Sequence, residues 1–213
     1  MTRTPDRLFI RRSFLGGALA LAGDPALAAG RRPVVTVLGD SITAGLGLPA
    51  AQAFPARLQA ALARIGPQAL VRGAGVSGDT ISAGLERIDF SVQADTDLCL
   101  VALGGNDLLQ GLDPRAAKAD LDRIVRRLQA RHIGVMLAGV AAPPAVGRGY
   151  ARDFAAVFAS VAQACHVPLY PDLLAGVGTP LRQADGIHPS AAGVLIMAQR
   201  LAPLVARALK ARR

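Results

Sequence analysis

Apolar and polar positions alternate in blocks along this chain. Residues 34–38, 69–72, 97–103, 133–140 and 167–170 are short runs rich in Val, Leu, Ile and Ala, and each stops at a glycine, a proline or a short loop. Runs of that length and bounding predict buried strands. Between them, residues 53–65, a segment ending near residue 90, residues 114–131 and residues 150–164 carry apolar side chains at helical spacing, and so does the stretch from about residue 190 onward. Pro114 suits the first turn of its helix. Strands alternating with helices predict βαβ units. The expected fold is α/β: a three-layer α/β/α sandwich around a five-stranded parallel sheet, in one domain over residues 29–213.

Composition agrees with this pattern. Hydrophobic residues make up 52% of the chain, aromatics only 4%, and Trp is absent. A core of Ala, Leu, Val and Ile suits parallel strands covered on both faces and excludes a disordered chain. The formal charge is +9. The positive residues are almost all Arg, spread along helix faces with no basic stripe interleaved with aromatics, so nucleic-acid binding is not expected. Lys210-Ala211-Arg212-Arg213 complements the negative end of a helix dipole or touches anionic lipid. Two cysteines make no disulfide framework. Cys99, inside Leu98-Cys99-Leu100-Val101, reads as a small core residue, and a single bridge to Cys165 stays open.

Residues 1–28 read as an export leader. Arg3, Arg7, Arg11 and Arg12 precede an apolar run over residues 14–22, and Ala26-Leu27-Ala28 offers small residues to a signal peptidase. Arg11-Arg12 followed by Ser13-Phe14-Leu15 resembles a twin-arginine signal, the alternative being an ordinary secretory leader. The leader carries four Arg and two Asp, so the remainder keeps a charge of +7. No lipoprotein cysteine follows the leader, and no later segment reads as long and apolar enough to span a membrane. The expected product is a periplasmic or secreted protein without a stable membrane anchor.

Ligands in such sheets bind beyond the carboxyl ends of the strands. Ser41 follows the first run in a tight Gly39-Asp40-Ser41 turn; as a type it also fits a plain turn or helix cap. His188 lies in a polar loop three residues after Asp185, where a carboxylate can hold an imidazole proton, although Asp185 also fits a simple helix cap. Pro189 is expected to start the final helix. His132 and His166 each end a helix and enter a strand, which reads as structural. Ser41, Gly78 and Asn106 can donate N–H groups to an oxyanion, with turn geometry as the alternative role for Gly78. The GxSxG elbow is absent: Ser77 lacks its spacing.

Four segments together carry a resemblance. Gly39-Asp40-Ser41-Ile42-Thr43-Ala44-Gly45, Gly75-Val76-Ser77-Gly78-Asp79-Thr80, Gly104-Gly105-Asn106-Asp107 and Asp185-Gly186-Ile187-His188-Pro189 resemble, in order, the four blocks of the SGNH (GDSL-type) hydrolases. The Ser-Gly-Asp-Thr form is most similar to their bacterial periplasmic arylesterase, lysophospholipase and acyl-CoA thioesterase branch. The resemblance implies a flavodoxin-like fold and a Ser41/Asp185/His188 triad. It also implies an oxyanion hole of Ser41, Gly78 and Asn106, with no metal or other cofactor. The implied activity is hydrolysis of carboxylic esters or thioesters through an acyl-enzyme on Ser41. The expected partner is a small ester or thioester, lysophospholipid among them, and the expected state is a monomer. Ala142, Pro143 and Pro144 fall where that branch has a substrate-facing loop, and their small apolar side chains suit an acyl groove. A carbohydrate O-acetyl esterase is the alternative within the family, and a non-catalytic binding module on the same fold is the alternative outside it. A metallohydrolase built on Asp40, Asn106, Asp107, Asp185 and His188 is a third, weakened by having one histidine.

Overall fold

The computed structural model describes Met1, residues 31–141 and residues 146–211, and every element lies in the unit Arg32–Arg213. The leader over residues 1–28 and the loop residues Ala142, Pro143 and Pro144 lie outside the described residues. Val34–Gly39 forms β1, buried at all six positions. Strands β2 (Leu70–Gly75), β3 (Leu98–Ala102), β4 (Gly134–Ala138) and β5 (Leu169–Tyr170) join it in one parallel sheet of order β2-β1-β3-β4-β5. That is the flavodoxin-like doubly wound order.

Side chains alternate across β1, β3 and β4, so each of these strands feeds two cores. Leu38, Cys99, Val101, Val135 and Leu137 pack under α3 (Ile81–Glu86), α4 (Ile88–Ser91), α6 (Pro114–Ala130) and α7 (Arg148–Cys165). Val35, Val37, Leu98, Leu100 and Met136 pack under α2 (Phe54–Ile65) and α8 (Ala191–Lys210) on the other face. The three layers expected from the pattern are therefore present. Two further helices, α1 (Ser41–Ala44) and α5 (Gly105–Leu109), are single turns at the ends of β1 and β3. They are too short for a 3.6-residue period to announce them.

Several expectations need correction. Strand β2 runs to Gly75, past the residue 72 read from the sequence, because its parallel register with β1 continues to Gly39↔Gly75 and glycines need no side-chain packing to pair there. The helix expected to reach residue 90 is broken at Arg87 into α3 and α4. Pro189 does not start the last helix: it bridges antiparallel to Arg182, and Ser190 caps α8 through Gly193 N. Helix α8 also has the length and mean hydropathy (1.4) of a membrane span, contrary to the expectation that no later segment would. Its apolar stripe, including Val194, Met197, Leu201 and Val205, is instead spent on the sheet core. Cys99 and Cys165 are both free and buried, and burial pushes the Cys99 thiol up to about 12.

Candidate active site

The turn that carries Ser41, the candidate nucleophile, follows β1 directly and packs against the end of β2. Asp40 leaves β1 in an extended conformation and caps α1, its Oδ1 accepting from Ile42 N at 3.0 Å. Thr43 Oγ1 and Ala44 N both donate to the Asp40 carbonyl, at 3.0 and 2.9 Å. This makes Ser41 the first residue of a short helix, with Asp40 rather than Ser41 as the cap. The turn is pressed against β2: a Cβ on Gly75 would lie 2.6 Å from Ala44 N and 2.7 Å from the Asp40 carbonyl oxygen. Asp40 is only 3% exposed, and burial lifts its carboxyl to about 6.

The candidate base, His188, comes from the loop between β5 and α8. Asp185 Oδ1 accepts from Ile187 N at 2.9 Å and His188 N at 3.0 Å, so the carboxylate closes a turn on its own chain and caps no helix. Its Oδ2 lies 2.6 Å from His188 Nδ1, and His188 Nε2 lies 2.8 Å from Ser41 Oγ. The hydrogen bond from His188, followed by the two backbone N–H groups, holds the Asp185 carboxyl down at about 2. An ionised carboxylate only accepts. His188 Nδ1 therefore carries the proton, and Nε2 is free to accept the Ser41 hydroxyl. The sequence-predicted Ser41, His188 and Asp185 thus form one hydrogen-bonded chain.

Gly78 and Asn106 follow β2 and β3, the strands on either side of β1. Gly78 has φ +89°, a left-handed conformation that side chains rarely adopt, and among the described residues no atom beyond its chain neighbours lies within 4 Å of an added Cβ. Its φ, and not crowding by the protein, calls for glycine. Asn106 Nδ2 donates one hydrogen to the Asp79 carbonyl at 2.8 Å, which leaves the second amide hydrogen for another acceptor.

Three residues support the site in roles that the sequence did not assign to them. Arg87 Nε pairs with Asp79 Oδ2 at 2.6 Å while Nη2 donates to the Gly39 carbonyl at 3.0 Å, tying the glycine loop to the end of β1. Asp107 Oδ2 accepts from Ile81 N at 2.9 Å, tying α5 to α3, and burial raises the Asp107 carboxyl. Asp79 and Asp107 adjoin the motif residues, which was a usable signal. Arg87 carried none, since its partners lie 8 and 48 residues away.

His132 and His166 precede β4 and β5, at the opposite edge of the sheet from Ser41. Both sit just past helix C-termini with left-handed φ of 59° and 53°, a structural role. Among the described residues, no group of three or more His, Cys, Asp or Glu side chains converges as a metal-ligand set. A cavity of about 80 Å³ adjoins the nucleophile turn, with Asp40, Ile42, Gly105 and Ala141 among its walls.

Comparison with known proteins identifies the family. Residues 37–195 match the GDSL-like Lipase/Acylhydrolase family. The chain is 37% identical over 186 residues to Esterase TesA of Pseudomonas aeruginosa, covering 86% of this chain and 92% of that protein. It is 35% identical over 176 residues to Thioesterase 1/protease 1/lysophospholipase L1 of Escherichia coli K12, covering 79% and 83%. The crystal structure of AlinE4, described as an SGNH-hydrolase family esterase, superposes with a TM-score of 0.71 at 41% identity, covering 84% of this chain and 98% of that one. With a family match over residues 37–195 and a relative 37% identical over 186 residues, this chain belongs to the GDSL-like lipase/acylhydrolase family.

Proposed function

We propose that Ser41 is the nucleophile, His188 the general base and Asp185 the orienting carboxylate of this serine ester hydrolase, with Ser41 N, Gly78 N and Asn106 Nδ2 as oxyanion donors. The observation that carries the assignment is the hydrogen-bonded chain from Ser41 Oγ through His188 to Asp185, at 2.8 and 2.6 Å. His188 Nε2 takes the Ser41 proton as Oγ attacks the carbonyl carbon of an ester or thioester. The carbonyl oxygen gains the negative charge and meets the three N–H donors, which are already fixed by β1, β2 and β3. His188 then protonates the leaving alcohol or thiol, and the acyl group stays on Ser41. A water deprotonated by His188 attacks the acyl-enzyme, and collapse of the second tetrahedral intermediate releases the acid and restores Ser41. Asp185 stays ionised throughout, consistent with a carboxyl held at about 2.

The acyl chain is proposed to leave Ser41 along the cavity beside Ala141 and to run against Ala142, Pro143 and Pro144, the substrates being small esters or thioesters, lysophospholipid among them. Residues 1–28 are proposed as a twin-arginine export leader and the mature chain as a periplasmic or secreted monomer. Changing Arg11 and Arg12 to Lys should then trap the precursor in the cytoplasm.

The test of the activity is hydrolysis of p-nitrophenyl esters from acetyl to palmitoyl by the mature protein and by Ser41→Ala, with and without EDTA. Turnover that vanishes in Ser41→Ala and survives EDTA is the expected result. Turnover that survives Ser41→Ala, or that dies in EDTA, would overturn the assignment.

A further inference from the structure

The base-bearing loop reaches Ser41 from far along the chain, and one side chain fastens the two together. Gln183 Nε2 donates to the Leu46 carbonyl at 2.8 Å and to the Pro189 carbonyl at 3.1 Å. Leu46 lies just beyond the nucleophile helix and is 137 residues away; Pro189 directly follows His188. Both partners are carbonyls, which only accept, so the amide orientation is fixed and both of its hydrogens are used. The backbone adds to this. Gln183 N donates to the His188 carbonyl at 2.8 Å, and the Gln183 carbonyl accepts from Gly186 N at 3.0 Å. Gln183 Oε1 is packed against Gly47, where an added Cβ would lie 2.4 Å from it.

From this bracket we infer that Gln183 is a positioning residue: it sets the His188 imidazole at hydrogen-bonding distance from Ser41 by tying the loop to the nucleophile turn. The inference rests on the triad assignment above. Gln183 touches neither Ser41 nor the His188 ring, so its effect reaches the reaction through the placement of His188 alone. Misplacing a base by about 1 Å costs a large factor in rate while leaving substrate binding nearly intact.

The experiment compares wild type, Gln183→Ala and Gln183→Glu for kcat and KM on p-nitrophenyl butyrate from pH 5 to 8, together with thermal midpoints. Proton NMR of the His188 Nδ1–H held by Asp185 is recorded alongside. Gln183→Ala is expected to lower kcat roughly 10- to 100-fold with KM and the midpoint near wild type. Gln183→Glu is nearly isosteric, but its ionised form cannot donate to either carbonyl. Its kcat relative to wild type should be as low as that of Gln183→Ala at pH 8, and should rise as the pH falls and the introduced carboxyl gains a proton to donate. A kcat within about 2-fold of wild type in Gln183→Ala, or a Gln183→Glu ratio flat with pH, would overturn the inference. A loss of kcat matched by a fallen midpoint at every pH would reduce Gln183 to a structural brace and overturn it as well. The NMR signal separates this question from the triad assignment. If Ser41→Ala keeps its activity, the triad fails, whereas an unchanged Nδ1–H signal in Gln183→Ala refutes the positioning role on its own.

Discussion

The turn that carries Ser41 and the loop that carries His188 meet at the hydrogen bond between those two side chains and at the Gln183 clamp on the Leu46 carbonyl, yet they are built in opposite ways. The turn is a short segment buried between strand ends, with Asp40 at 3% exposure and its backbone pressed against Gly75. The loop is anchored in the core by Leu173 and Val177 but surfaces at residues 184–187, and the side chain of Asp185 is 44% exposed. Their two aspartates respond accordingly. One N–H, that of Ile42, reaches the Asp40 side chain from beyond its own residue, and burial dominates, lifting the carboxyl to about 6. Asp185 faces water, collects three N–H donors and drops to about 2. Donors, and not depth, secure the negative charge next to the imidazole. The buried partner supplies rigidity and holds its charge only at a cost.

The sharpest way to break this pairing is to remove the atoms at the junction. Ser41→Ala or His188→Ala should lower kcat by roughly 10⁴- to 10⁶-fold, read by single-turnover hydrolysis of p-nitrophenyl esters. A loss below 100-fold would mean the nucleophile or base lies elsewhere. Asp185→Asn comes next, at roughly 10²- to 10⁴-fold. The amide oxygen can still accept from Ile187 N and His188 N and so preserve the turn. The negative charge facing Nδ1 is lost, and the tautomer that leaves Nε2 free to accept is no longer enforced. A near-wild-type rate would show that something other than Asp185 orients His188.

What the sequence disclosed follows the same division. Strands β1, β3 and β4 were legible because they are apolar on both faces, so pattern and burial coincide. The far half of β2 was not, because an edge strand written Gly73-Ala74-Gly75 has the composition of a loop. Ser41, Gly78 and Asn106 were legible as chemical types placed just past strand ends, and Asp185 and His188 as a carboxylate and an imidazole three residues apart in a polar loop. The means of holding them together was hidden. The side chain of Gln183 acts on the backbone carbonyls of Leu46 and Pro189, and Arg87 reaches that of Gly39 besides its side-chain partners. A carbonyl is present at every residue, so no side-chain pattern marks it as a partner.

Gly75→Ala tests the rigid half of the comparison. The added Cβ would meet Ala44 N at 2.6 Å, Thr43 Oγ1 at 2.6 Å and the Asp40 carbonyl at 2.7 Å. Two of these are backbone atoms fixed by their own hydrogen bonds, so the strand or the turn must shift. A destabilisation of about 3 kcal/mol by urea unfolding is expected, at the upper end for overpacked sites. Activity should fall with it, because the displaced atoms flank Ser41. An unaltered unfolding midpoint would show that the turn has slack.

The smallest effect concerns Asp40 itself. Its carboxyl is raised from 3.8 to about 6 by burial, so the unfolded chain ionises first as pH rises. The penalty is absent below about pH 4, grows between pH 4 and 6 and is complete above about pH 7. Asn keeps the cap to Ile42 N and does not titrate. Asp40→Asn should therefore gain about 1–2 kcal/mol over wild type on going from pH 5 to pH 8, measured by urea unfolding at both values. The charge of the ionised Asp40 carboxylate also reaches the His188 ring. Removing it should accordingly lower kcat a few-fold at pH 8, since the imidazolium formed during attack loses a nearby counter-charge. A stability difference identical at pH 5 and pH 8 would mean that Asp40 is ionised throughout. The contrast between the buried and the exposed aspartate would then collapse to one of position alone.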